Sequence, residues 1–207
     1  MKQIYLAGLV ALAITGCSST STGEAKNTIY TDPSVEVEGS GVGIESQDIV
    51  GVTKKMMKDM LANPMIAGRK HAPRVIVDSQ YITNESSSRT VNKNLLTDRL
   101  RVELTREAAG QMIFVGREYV AMVEKERELK RAGVTDAGTI RTTQATAGAD
   151  YRLVGRISSL DSLKTSNQVA SRYHQIVFEM VDLELGTIVW NGIYEFKKVA
   201  KDDVVYY

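Results

Sequence analysis

Few side chains in this sequence are placed to do chemistry. Two histidines are present, His71 in a proline-flanked loop and His174 in the middle of an extended run. An imidazole activates a hydroxyl only when a carboxylate orients it and the nucleophile sits on a strained turn, and no such turn surrounds either histidine. His174 is read as a surface residue of a strand. Asp48, Asp59 and Asp78 carry the hard oxygen ligands that calcium takes, but no segment offers ligands at alternating positions closed by a glutamate. Glu124, Glu126 and Glu128 have the groups for acid–base work, yet they stand among lysines and arginines, where ion pairing on a solvated helix face is their ordinary use. Gly39-Ser40-Gly41-Val42-Gly43 has the glycine spacing of a phosphate-cradling loop; with no strand before it and no lysine at the phosphate position, it reads as a hinge. These residues point away from an enzyme and call for no cofactor or metal.

The remaining reactive group is a thiol. Cys17 is the only cysteine, so neither a disulfide nor a cysteine zinc site is available. Before it lie Lys2 and an apolar core from Ile4 to Ile14 broken only by Gly8. That core is too short for a bilayer span, which takes about 20 apolar residues, and its flanks fit an export signal. Ile14-Thr15-Gly16-Cys17 resembles the bacterial lipobox, in which the cysteine sulfur takes a lipid and the residue becomes the new N-terminus. Residues 1–16 are thus expected to be a signal peptide and Cys17 the lipidation site, with Ser18 fitting sorting to an outer membrane.

The elements that would position a functional surface follow. Residues 18–45 are rich in Ser, Thr, Gly and Glu and poor in large apolar groups, a composition that cannot offset chain entropy and reads as a tether. Fully stretched it reaches at most about 100 Å, and as a relaxed coil it spans about 30 Å. A globular domain is expected over residues 46–207. Ser46 or Asp48 caps a first helix to about Asn63, with Ile49, Val52, Met56, Met60 and Asn63 near one face, Met57 and Leu61 widening it, and Pro64 stopping it. Residues 74–78 form a first strand and residues 84–89 a polar loop. A second helix runs from about Asn92 to Ala109, with Leu96, Leu100, Leu104 and Ala108 at a spacing of four and Gly110 as its stop. Residues 112–115 read as a second, buried strand. A charged third helix covers Arg117 to about Ala132, and residues 142–149 suggest a short helix of small residues. Three alternating strands close the chain at residues 151–157, 173–183 and 188–199, the last two joined by a tight turn at residues 184–187. The order α-β-α-β-α-α-β-β-β predicts an α/β (α+β) fold, a mixed sheet packed by helices and closed by an antiparallel meander.

Charge narrows the partner class. Removing residues 1–16 takes Lys2 from the 26 Lys and Arg and leaves them equal to the 25 Asp and Glu. A balanced chain lacks the basic excess of a nucleic-acid binder or a polybasic membrane-surface protein.

Three stretches carry a resemblance: Gly43-Ile44-Glu45-Ser46-Gln47-Asp48-Ile49, Asn94-Leu95-Leu96-Thr97-Asp98-Arg99-Leu100, and Val181-Asp182-Leu183-Glu184-Leu185-Gly186-Thr187-Ile188-Val189-Trp190-Asn191-Gly192. Over residues 43–200 the chain resembles the LpoB-type lipoproteins that activate penicillin-binding proteins. The hairpin is shared with the curli-secretion lipoprotein family and the N-terminal domain of TolB, which leaves a structural or secretion-related envelope lipoprotein as the alternative. The resemblance implies an outer-membrane lipoprotein, lipid-anchored at the periplasmic face, that binds and activates a class A penicillin-binding protein and so regulates cell-wall synthesis without doing chemistry itself. Family members carry a long proline-rich tether; here the segment holds only Pro33. The matching motifs contain no interface residue, so docking candidates come from the residues themselves: Asn84, Glu85 and Arg89 in the polar loop, and Arg117, Glu124, Arg127 and Arg131 on the charged helix. The terminal residues 204–207 are apolar enough to tuck onto the sheet.

Overall fold

Leucines and methionines at helical spacing build the side of the molecule that holds the core. The structure, a computed structural model, describes residues 30–35, 41–88, 91–108, 110–141, 146–164 and 169–201. Residues 1–16, Cys17, Arg89 and the terminal residues 204–207 lie outside these. Helix α1 spans Ser46–Ala62 and buries Val52, Thr53, Met56 and Met60. Its cap is Glu45 rather than Ser46: the Glu45 side chain takes the N–H of Asp48, and the Asp48 carboxylate takes the N–H of Glu45, a reciprocal box that satisfies two otherwise orphaned donors. Pro64 closes α1 and opens the short α2, Pro64–Ala67. Helix α3, Lys93–Glu107, starts where the Asn92 side chain accepts the N–H groups of Asn94 and Leu95. Its leucine stripe is buried as the spacing predicts: Leu96, Leu100, Leu104 and Ala108 all pack into the core.

The sheet has five strands in the order β2-β1-β3-β4-β5. Strands β1 (Arg74–Asn84) and β2 (Ile113–Phe114) are parallel, as are β1 and β3 (Tyr151–Lys164); β4 (Val169–Asp182) and β5 (Ile188–Lys201) complete an antiparallel meander. Ile176, Phe178 and Met180 of β4 face the helices, and α1 and α3 pack on β5 and β1. At the turn, Gly186 takes a left-handed φ of 68° that side-chain-bearing residues rarely adopt, while the Asp182 carboxylate takes the N–H groups of Glu184 and Leu185. Those two donors hold the Asp182 carboxyl below the usual carboxylate range. Trp190 then anchors the return strand, its indole N–H donating to Asp59 Oδ2 of α1 at 3.2 Å. Gly192 is needed beside it, because a Cβ there would stand 2.8 Å from the Trp190 ring.

Several expectations change. β1 runs to Asn84 rather than residue 78, with a shift in pairing between Val77 and Ile82 that breaks the alternation. β2 is a two-residue edge strand and not a buried one; Ile113 is 51% exposed because only one of its flanks has a neighbour. Residues 146–149 are irregular rather than helical, and residues 142–145 lie outside the described part. Finally, Val42 is buried and Ile44 packs on the core, so residues 41–45 join the folded body where a tether was expected.

Candidate docking surface

The six docking candidates among the described residues divide between two places. Asn84 ends β1 and organises the following loop: its Oδ1 accepts the N–H of Ser86 at 3.0 Å and its Nδ2 donates to the Ser88 carbonyl at 3.0 Å. Glu85 stands exposed beside Arg156 of β3, at 3.8 Å. Ser87 reaches Ser159 of the same strand at 2.9 Å, which ties the loop down. Asn84 is therefore spent on holding the loop's shape, and Glu85 is the candidate there that faces solvent.

The other candidates lie on or before α4, Val120–Arg131, which a 3-10 turn at Arg117–Tyr119 introduces. α4 buries no residue at all. Four of its five apolar residues, Val120, Ala121, Met122 and Val123, are consecutive and run around the helix, with Leu129 alone beyond them. What holds it is local. Arg101 of α3 pairs with Glu118 of the 3-10 turn and with Asp98, Lys130 pairs with Glu126, and the Lys130 ammonium donates to Thr139 Oγ1 at 2.8 Å.

Between α4 and residues 139–141 and 146–148 lies a cavity of about 570 Å³. Arg117, Arg127 and Arg131 all line it, joined by Arg74, Lys130 and Arg141, whereas Glu124 is not among the lining residues. The sequence reading missed Arg74 and Arg141. Val115, Val120, Val123 and Ile140 supply its apolar wall, and among the described residues no carboxylate lines it.

His174 is fully buried, not on the surface. Its ring stacks on Phe196 with centroids 4.9 Å apart, and its Nε2–H donates to the Val42 carbonyl at 2.7 Å. The carbonyl fixes that tautomer, since it can only accept. Burial holds the imidazole below its ordinary pKa, with Arg172 and Lys198 pushing the same way. Lys198 also pairs with Asp48 at 2.6 Å and Glu45 at 3.5 Å. Together these contacts fasten residues 42–48 to the sheet. Beside them, the Arg172 guanidinium binds Asp161 and keeps that carboxyl below its usual range. His71 stays exposed in its loop.

Asp48, Asp59, Asp78, Glu124, Glu126 and Glu128 are dispersed, and all but the exposed Glu124 are engaged. Asp48 caps α1, Asp59 holds Trp190, Asp78 pairs with Arg152 at 3.5 Å, and Glu126 and Glu128 pair with Lys130 and Lys125. Among the described residues no three His, Cys, Asp or Glu side chains gather as metal ligands. What this geometry offers is surface: an exposed helix, a cationic cavity under it, and a firmly held domain entry.

A family model described as peptidoglycan-synthase activator LpoB matches residues 48–196, from the first turn of α1 to Phe196 of β5. The chain belongs to the LpoB family. Its place is among activators of peptidoglycan synthesis, a regulatory and envelope-associated role. Solved structures similar to it include the LpoB C-terminal domain from Salmonella enterica, at 17% identity and a TM-score of 0.43 over 72% of this chain and 98% of that one. The LpoB C-terminal domain from Escherichia coli is 18% identical, with the same coverage and TM-score. Lipoprotein GNA1162 from Neisseria meningitidis is 20% identical over 62% of this chain and 84% of its own, at a TM-score of 0.33. No curated protein sequence matches the chain. Among the described residues no helix is long and apolar enough to cross a membrane.

Proposed function

We propose that this LpoB-family chain is an outer-membrane lipoprotein, anchored through lipid on Cys17, whose domain docks on a class A penicillin-binding protein and raises its glycan-polymerising and crosslinking rates. The family match across residues 48–196 carries this reading. Activation without chemistry requires tighter binding to the partner's active state than to its resting state.

The α4 side is the docking surface proposed for the synthase, with the Glu85 loop as a second contact. Elsewhere the helices are packed into the core, while α4 presents Met122, 65% exposed, beside Lys125 and Glu124 to solvent. Exposed apolar side chains ringed by charge are the ordinary signature of a protein contact. The test uses the full chain and a purified class A synthase, measuring binding by surface plasmon resonance and glycan-chain formation from its lipid-linked substrate. The wild-type chain is expected to bind and to raise the polymerisation rate. Met122→Asp with Lys125→Glu is expected to weaken binding at least about tenfold, the loss of a centrally placed contact, while the circular-dichroism spectrum stays unchanged. Absence of binding by the wild type overturns the synthase reading; unchanged binding by the double variant overturns the α4 placement.

A further inference from the structure

We propose that the cavity beneath α4 binds a phosphorylated amphiphile, held through a phosphate or pyrophosphate head group. The inference does not rest on the synthase reading. Six cationic side chains line one cavity, and they come from distant parts of the chain: Arg74 opens β1, Arg117 lies in the 3-10 turn, Arg127, Lys130 and Arg131 are on α4, and Arg141 is in the segment that follows. Among the described residues no carboxylate lines the cavity with them. Arg74, Arg117, Arg131 and Arg141 form no ion pair with any described residue.

Of the seven described arginines elsewhere in the fold, five are matched by a carboxylate and Arg69 and Arg106 are not. Arg99 has Glu103, Arg101 has Asp98 and Glu118, Arg152 has Asp78, Arg156 has Glu85 and Arg172 has Asp161. In a chain with a net charge of only +1, gathering Arg74, Arg117, Arg131 and Arg141 around one space with no ion pair to a described residue is unfavourable by Coulomb repulsion. The C-terminal dipole of α4 accounts for Lys130 and Arg131 in its last turn. It does not account for Arg74, Arg117 or Arg141, which other elements bring in. An anion from outside the chain completes the arrangement.

The chemistry of the lining selects the anion. Guanidinium groups bind phosphate oxygens through paired N–H donors, and a compact, multiply charged head group answers several cations at once. Val115, Val120, Val123 and Ile140 give the same cavity an apolar wall for which an inorganic ion has no use. A volume of about 570 Å³ lies within the range of small-molecule sites.

The experiment is calorimetric titration of the full chain with geranyl pyrophosphate, inorganic pyrophosphate and hexaglutamate, alongside co-sedimentation with phosphatidylglycerol vesicles. Geranyl pyrophosphate is expected to bind more tightly than inorganic pyrophosphate. Arg117→Ala with Arg131→Ala is expected to weaken both by about tenfold or more. The exposed cation Arg106 lies outside the site, and Arg106→Ala is expected to leave both unchanged. Failure of both phosphate probes to bind overturns the proposal. So does binding that survives the double variant, hexaglutamate binding where the phosphates fail, or vesicle binding that is indifferent to the double variant.

Discussion

Helices α3 and α4 are both short and heavily charged, yet one is a pillar of the core and the other is nearly detached. α3 places Leu96, Leu100, Leu104 and Ala108 on one line and buries all four between β1 and α1. α4 holds four of its five apolar residues in one consecutive turn, with Leu129 apart from them, and buries none. What decides between the two fates is the spacing of apolar residues: only a stripe can turn wholly toward a sheet. A helix without one remains available to a partner or a ligand. The largest test of this contrast is therefore a truncation in each helix. Leu100→Ala is expected to cost about 2–5 kcal/mol, through lost transfer energy and the cavity left behind. Met122→Ala is expected to stay within about 0.5 kcal/mol, as for a solvent-facing residue. Urea unfolding of both variants checks it, and a comparable loss at Met122 would show that α4 is packed after all.

A second, smaller test concerns the domain entry, which is fastened where α4 is loose. The buried His174 has a folded-state pKa below its ordinary value, chiefly through burial. The unfolded chain therefore binds a proton more readily, and the stability contributed by the neutral ring is present above the ordinary histidine pKa of about 6.5. It is lost as pH falls from there toward the lowered folded pKa. Asp161, held low by Arg172, loses its contribution only at more acidic pH, below the ordinary carboxylate range. The thermal midpoint should accordingly fall between pH 7 and pH 5, and fall less in His174→Gln, which retains a donor for the Val42 carbonyl but cannot take up the proton. Equal slopes in the two proteins would remove His174 from the account. Hydrogen-exchange protection at residues 42–45, relative to each amide's intrinsic rate, should show the same dependence, while protection of α4 amides does not change.

These features differ in how far the chain betrayed them beforehand. The α3 leucines, the α1 methionines and the alternation in β3, β4 and β5 are local periodicities, and the structure follows them. The far half of β1 was hidden because residues 78–81 shift the pairing and erase the period of two. There Arg152 pairs with Asp78 and stacks over Tyr81, contacts that no local pattern announces. His174 shares the parity of Ile176, Phe178 and Met180, which all point inward, and this period, not its polar residue type, decides its burial. The two-residue β2 shows the converse, an apolar run placed at an edge where only one neighbour exists. Of the cavity, the sequence offered Arg117, Arg127 and Arg131, since they lie on or just before one helix. Arg74 and Arg141 join them only through the tertiary fold.

The smallest expected effect sharpens the helix comparison by removing charge from it. Each helix has an i,i+4 ion pair on its surface: Arg99 with Glu103 on α3 at 2.8 Å, and Glu126 with Lys130 on α4 at 3.5 Å. Pairs of this kind are screened by solvent and contribute about 0.3–0.5 kcal/mol or less. Glu103→Gln and Glu126→Gln should therefore have similar, small effects in low salt, and both should vanish in about 1 M salt, where the Debye length is about 3 Å. Such parity would mean that the helices differ in their apolar spacing alone, and that the charges on α4 are not what keeps it in place. If Glu126→Gln instead destabilised the fold by well over 1 kcal/mol, α4 would be held by charge. The cations beneath it would then have a structural use within the chain, and the case for an outside anion would weaken with it.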